Sequence, residues 1–184
     1  VIAQINSNMP RSLGDSFIHI SKINFLTEVD ESLTELKQAP GEVDPALSSL
    51  YTNIGKNVAD LIEDGSTLQM GIGEIPDSVL SFLGDRQNLG IHSEMFSDGV
   101  IPLIERGIIN NEKKGIHYGK AVAGFVLGSN RLYKYIDNNP LFEFHPQEYV
   151  NDPFVIAQFV EEQHHLDFRN RVCVFHIVPF TFYG

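Results

Sequence analysis

Glu94 is the residue in this sequence best placed to do chemistry. It closes the run Gly90-Ile91-His92-Ser93-Glu94, and the pair Gly71-x-Gly73 lies upstream of it. A carboxylate can attack an acyl carbon whose leaving group departs easily, and a thioester offers such a carbon. Glycines 71 and 73 carry no side chain, so a ligand can come close to their backbone. Pro76 suits the first turn of a helix. A helix beginning there would aim free N–H groups at an anion or a developing oxyanion. Each feature also has an ordinary reading. On spacing alone Glu94 is more often a surface glutamate than a nucleophile. The glycine pair lacks the third glycine of a dinucleotide fingerprint and the acidic residue that should end the next strand.

Other reactive side chains carry less. His92 and Ser93 precede a carboxylate, but neighbours on a strand point to opposite faces, so no Ser-His-carboxylate triad is expected and structural roles are favoured. Asp98-Gly99 reads as a helix start. Lys113, Lys114 and Lys120 form a small basic cluster that could meet phosphates, although a solvated loop is the better expectation. His164-His165 with Asp167 lacks further ligands at a suitable spacing, so no metal is assigned. Cys173 sits in an apolar run and is expected to be buried rather than reactive.

These residues need a scaffold, and the pattern supplies one. Residues 67–72 read as a short buried strand. Val79, Leu80, Phe82 and Leu83 give the next helix its apolar side, and Gly84 can end it. Residues 89–92 read as a second strand, with Glu94 straight after it. In open α/β sheets ligands bind at the carboxyl ends of strands, which puts the glycine turn and Glu94 on one edge. Upstream, Asp44-Pro45 opens the clearest helix, with Leu47, Leu50, Tyr51, Ile54, Val58, Leu61 and Ile62 in one stripe, packing on the sheet until Gly65. Further strands are expected at 1–5, 17–20, 121–127 and 142–144, and helices at 100–105, 131–136 (capped by Ser129) and 153–158. Residues 9–15 read as turns and 27–45 as a linker or surface crossing. The fold class is α/β, a mainly parallel open sheet with flanking helices.

Met70-Gly71-Ile72-Gly73-Glu74-Ile75-Pro76, followed by Gly90 through Gly99, resembles the acetyl-CoA hydrolase/transferase family, in particular its 4-hydroxybutyrate CoA-transferase-like members. The likeness runs on through Gly115 to Lys120, Asn138-Asn139-Pro140 and Tyr149 to Pro153, and covers most of residues 1–158. It implies that Glu94 forms a glutamyl-CoA thioester and that Gly71, Ile72, Gly73, Glu74 and Ile75 belong to the CoA site. It implies a CoA-transferase-like sheet, here incomplete: residues 1–40 as the end of an N-terminal domain and linker, 41–158 as the first part of a C-terminal domain, and 159–184 as a divergent tail. The second glycine-rich loop of the family does not appear. The implied activity is CoA transfer between a short-chain acyl-CoA and a carboxylic acid of the acetate, butyrate or 4-hydroxybutyrate class. Acetyl-CoA hydrolysis and a non-catalytic truncated fragment are the alternatives. Coenzyme A would be a substrate, with no permanently bound cofactor.

The bulk properties agree with a globular enzyme. The chain has 184 residues, 42% hydrophobic and 20% charged, enough for a real core and unlike a disordered chain. A net charge of −11 argues against general nucleic-acid binding. One cysteine cannot make an internal disulfide, no secretory pattern opens the sequence, and no apolar run is long enough to span a bilayer, so a cytoplasmic setting without membrane partners is the expectation. A homo-oligomer is left open. The sequence starts Val1-Ile2-Ala3, as if in mid-strand, and a fragment is expected. The tail from Phe159 matches nothing in the family pattern and should not extend the sheet. It should lie loosely at an open edge or be poorly ordered.

Overall fold

The computed structural model describes residues 1–36, 45–159 and 172–175. In chain order these form β1 (Ile2–Asn6), β2 (Phe25–Val29), α1 (Pro45–Ala59), β3 (Thr67–Met70), α2 (Glu74–Ser81), β4 (Gly90–Phe96), α3 (Ile101–Glu105), β5 (Ala121–Val126), α4 (Asn130–Ile136), β6 (Phe142–Phe144), α5 (Gln147–Val150), α6 (Pro153–Ala157) and β7 (Val172–Phe175). The main sheet has the order β6-β5-β4-β3-β7, and every pair in it is parallel. The expected α/β class is therefore present, and β3 is the strand at which the order reverses.

The core lies between the sheet and its helices. Leu68, Met70, Val79, Leu83, Ile91, Phe96, Ile101 and Phe142 are fully enclosed. Phe96 on β4 stacks on Phe142 of β6 with ring centres 5.7 Å apart, across the smaller residues of β5. Alanines at 121 and 123 leave that space. Only the first half of β5 is buried on both faces; Phe125 is exposed.

Several expectations need correction. Residues 17–20 are no strand: a 3-10 turn spans Ile20–Lys22, and the strand follows at Phe25–Val29, running into the start of the expected linker. β1 and β2 pair in parallel as a separate two-stranded sheet. Residues 13–15, expected as a turn, bridge to the free edge of β6. Phe144 N donates to Leu13 O at 2.7 Å, and Asp15 N donates to Phe144 O at 2.9 Å. Gly14 has φ +94°, and a Cβ there would stand 2.8 Å from Phe144 backbone atoms, so only glycine fits. The crossing that follows is anchored, with Leu36 N donating to Gly128 O and Tyr133 Oη donating to Thr34 O. Asp44, part of the expected linker, lies outside the described residues.

The tail is corrected too. β7 extends the parallel sheet, with Thr67 paired to Val172 and Met70 to Phe175. It does so at the open edge beside β3. Phe159 is buried, while residues 160–171, with His164, His165 and Asp167, and residues 176–184 lie outside the described residues.

α1 packs on α2 rather than directly on the sheet. The expected stripe is only partly covered, since Leu47, Leu50 and Leu61 stay exposed while Ile62, past the end of the helix, is buried. The close approach depends on Gly55. A Cβ there would lie 2.3 Å from Ser78 Oγ and 2.8 Å from the Ser78 backbone carbon. Ser78 Oγ itself donates to Tyr51 O. Gly55→Ala should therefore destabilise the fold by about 1–2 kcal/mol, because overpacking outweighs the gain in helix propensity. Urea unfolding would show a lower midpoint.

Candidate active site

β3 and β4 run side by side with Thr67 opposite Gly90 and Leu68 opposite Ile91. Two residues further on, Met70 at the end of β3 meets Ser93 of β4. At this point a side chain replaces the backbone ladder. Ser93 Oγ accepts from Met70 N at 2.9 Å, and its single proton is shared between Met70 O at 2.8 Å and Met95 O at 2.7 Å. Ser93 is thus structural, as expected from the sequence.

After this knot β3 ends in the glycine turn. Gly73 caps α2 with φ +117° and ψ −174°, a conformation open essentially to glycine alone, and a Cβ there would meet nothing within 4 Å. Asp77 N donates back to Gly73 O. Gly71, Ile72 and Ile75 are half-buried and Glu74 is exposed. The free N–H groups of α2 open at the carboxyl edge of the sheet, at the strand where the order reverses.

Glu94 differs from expectation in one respect. β4 does not stop before it but continues to Phe96, so Glu94 is held in strand geometry. Its side chain is half-buried. Asn151 Nδ2 donates to Glu94 Oε2 at 3.2 Å, and Gln147 Nε2 reaches Glu94 O at 3.4 Å. Gln147 fits only because Gly124, on the next strand, lacks a side chain; a Cβ there would sit 2.3 Å from Gln147 Nε2. Asp98 starts a 3-10 turn after β4 and binds Ser129 through both the N–H, at 2.7 Å, and the hydroxyl. Ser129 caps α4 as expected. Asp77 accepts from Ser97 Oγ, and burial, with help from Asp98 and against that hydrogen bond, pushes its carboxyl above the usual range.

The pleat puts His92 on the same face as Glu94. His92 is 2% exposed, its Nε2 lies 3.0 Å from Val150 O, and its ring packs on Phe159 at 4.7 Å. Burial, then the Lys114 charge, lower it to about 3. Lys114 is not the solvated lysine expected. It is 5% exposed and donates to Ile91 O and Lys120 O, and burial lowers it to about 7 against the pull of Glu143. Lys113 is exposed, and Lys120 turns its ammonium to Pro140 O. Among the described residues the three lysines therefore offer no shared basic patch.

The same face carries a group that sequence reasoning missed. Val122 pairs with both His92 and Glu143, so Glu143 faces the same way, and His145 continues the strand by donating to Ala123 O. Glu143 Oε2 lies 2.9 Å from His117 Nδ1 and 3.3 Å from His145 Nε2. His117 Nε2 meets Tyr149 Oη at 2.6 Å. Burial raises Glu143, but the bonds and charges of the two histidines outweigh it and hold the carboxyl below the usual range. Burial lowers His117 and Tyr149 is raised. The signal available was faint: three residues from two loops and one strand, adjacent only once β5 and β6 pair.

Residues 128–183 match the acetyl-CoA hydrolase/transferase C-terminal domain. The chain is 53% identical over 158 residues to the 4-hydroxybutyrate coenzyme A transferase of Clostridium kluyveri, covering 86% of this chain and 35% of that protein. These matches bear out the resemblance to the acetyl-CoA hydrolase/transferase family. A succinyl-CoA:cyclohexane-1-carboxylate CoA transferase of Geobacter metallireducens, another similar protein, is 42% identical over the same share of both chains. The solved 4-hydroxybutyrate CoA-transferase of Porphyromonas gingivalis superposes with a TM-score of 0.77 at 46% identity, covering 85% of this chain and 38% of that one. The chain thus spans about a third of the length of the curated relatives it matches. The matched family range also runs past Phe159, where the sequence reading ended the resemblance.

Burial of neutral His92 has a pH signature. The unfolded chain takes up a proton near pH 6.5, and the folded chain does so only near 3. Stability is therefore present above pH 6.5 and is lost as pH falls toward 3, by an amount on the order of 4 kcal/mol. In His92→Gln the unfolding free energy should fall less steeply across that window in urea titrations at stepped pH.

Proposed function

We propose that this chain carries the nucleophile and part of the coenzyme A site of a CoA-transferase, which moves CoA between a short-chain acyl-CoA and a carboxylic acid. The observation that carries this reading is Glu94 on β4, next to the strand that runs into the glycine turn, with one carboxylate oxygen accepting from Asn151. The relatives are named for 4-hydroxybutyrate, for succinyl-CoA with cyclohexane-1-carboxylate, and for butyrate or butyryl-CoA with acetyl-CoA or acetate. The acetate, butyrate or 4-hydroxybutyrate class is the substrate class assigned here. In this reading residues 1–40 are the end of an N-terminal domain and linker, and 41–158 the first part of a C-terminal domain.

The chemistry is a sequence of acyl transfers. A free oxygen of Glu94 attacks the thioester carbon of the acyl-CoA. The C–S bond breaks, and CoA leaves as a thiolate, giving a mixed anhydride. The thiolate then attacks the Glu94 carbonyl carbon, releasing the first carboxylate and leaving a glutamyl-CoA thioester. The acceptor carboxylate repeats both steps in reverse order and departs as its CoA ester, restoring Glu94. The free N–H groups following Gly73 suit the negative charge on the tetrahedral oxygen, and Gly71 to Ile75 line the approach of CoA. A half-buried site favours the carboxylate acceptor over water, hence transfer over hydrolysis. Coenzyme A enters as substrate. A cytoplasmic setting suits such metabolites, and among the described residues no helix is long and apolar enough to cross a membrane.

The test uses the full-length protein. Incubation with acyl-CoA should add the mass of CoA to Glu94, and borohydride should convert that thioester to an alcohol. Glu94→Gln should lower kcat at least about a thousandfold while leaving the fold intact. Full transferase activity in that variant would overturn the assignment. Thioester loss without added carboxylate should be slow; rapid loss would make the enzyme a hydrolase.

A further inference from the structure

The His117–Glu143–His145 group is built from three parts of the chain. His117 comes from the loop before β5, Glu143 from β6, and His145 from the turn into α5. Their donor atoms all lie within 4.8 Å of one another. Two imidazole nitrogens converge on one carboxylate oxygen, at 2.9 and 3.3 Å. A tetrahedral zinc ion with bonds of about 2.0–2.2 Å places its donors roughly 3.3–3.5 Å apart, so modest side-chain shifts open the needed space. All three side chains are partly exposed, at 14–25%, which leaves an approach from solution.

We propose that His117, Glu143 and His145 bind one divalent transition-metal ion of the zinc class, with a fourth coordination position left to water. Two neutral imidazoles and a carboxylate are borderline ligands that suit zinc better than calcium or magnesium, which prefer oxygen alone. The surroundings fit this role. A metal-binding histidine normally has its second nitrogen held by a further group, and Tyr149 Oη stands 2.6 Å from His117 Nε2. On metal binding the His117 proton moves from Nδ1 to Nε2, and Tyr149 oxygen becomes its acceptor. The His145 proton likewise moves from Nε2 to Nδ1, which frees Nε2 for the ion. His117 also holds φ at +52°, a left-handed conformation uncommon for histidine, which turns the loop toward the sheet. The ion would tie the 111–119 loop to β6 and the start of α5, the helix that carries Gln147. It takes no part in the transfer at Glu94, whose side chain is not among the donors.

The test is binding of zinc to the untagged full-length protein. Calorimetry should give one site of micromolar or tighter affinity, and cobalt should give the visible bands of a four-coordinate ion. X-ray absorption of the zinc-loaded wild-type protein should show two imidazoles, a reading that needs no variant. Glu143→Gln and His145→Gln should each weaken binding at least about tenfold. No saturable binding at micromolar zinc would overturn the proposal. So would binding unchanged in both variants, or binding abolished instead by His164→Ala with His165→Ala.

Discussion

The Ser93 hydroxyl is the interaction on which the rest of the site depends. It takes over from the backbone ladder where β3 and β4 part, binding both polar groups of Met70 and the carbonyl of Met95. Buried backbone groups without partners are costly, so strands cannot separate in a core without such a substitute. Because Ser93 supplies it, β3 can leave into the glycine turn while β4 runs on through Glu94. The glycine turn and the carboxylate then emerge next to each other and stay fixed, one by the pleat of a strand and the other by a helix N-terminus.

The pleat sorts the remaining polar side chains. His92, Glu94, Glu143 and His145 share a face because residues two apart on a strand, and residues paired across a parallel ladder, point the same way. Ser93, one residue along from His92 and from Glu94, is spent on Met70 and Met95 instead. One face of the sheet is thus packed with titratable groups, and α5 covers it through Gln147, Tyr149 and Val150. Gly124 is the gap that lets this cover close.

Local signals were legible in the sequence. The strand, glycine turn and helix after Thr67, the Ser129 cap and the Asp152-Pro153 helix start are all present, because each depends on near neighbours, although the strand ends at Met70 rather than Ile72 and the helix at Ser81 rather than Gly84. Non-local effects were not. The polar run His92-Ser93-Glu94 looks like the end of a strand, yet its partners are Val150, Met70 and Asn151, and these allow burial. Lys114 has the composition of a solvated loop residue, and only the carbonyls of Ile91 and Lys120 explain its burial. The tail looked foreign, yet its short β-prone run Val172–Phe175 pairs with the open edge of β3. The family resemblance, by contrast, rested on contiguous motifs and could be recognised at once.

The contacts of residues 11–15 with β6 carry a kinetic consequence. Arg11 N donates to Asp137 Oδ1 across 126 positions of sequence, and Gly14 closes on Phe144 nearby. During synthesis this early segment has no edge to dock on until β6 has been made and paired with β5. Contacts so distant in sequence form late and slow the folding of a chain. Until then the outer edge of β6 is open to any strand that meets it, including one from another nascent copy. The crowded approach around Gly14 therefore also selects the right partner, since a strand bearing a side chain at that position could not close on Phe144.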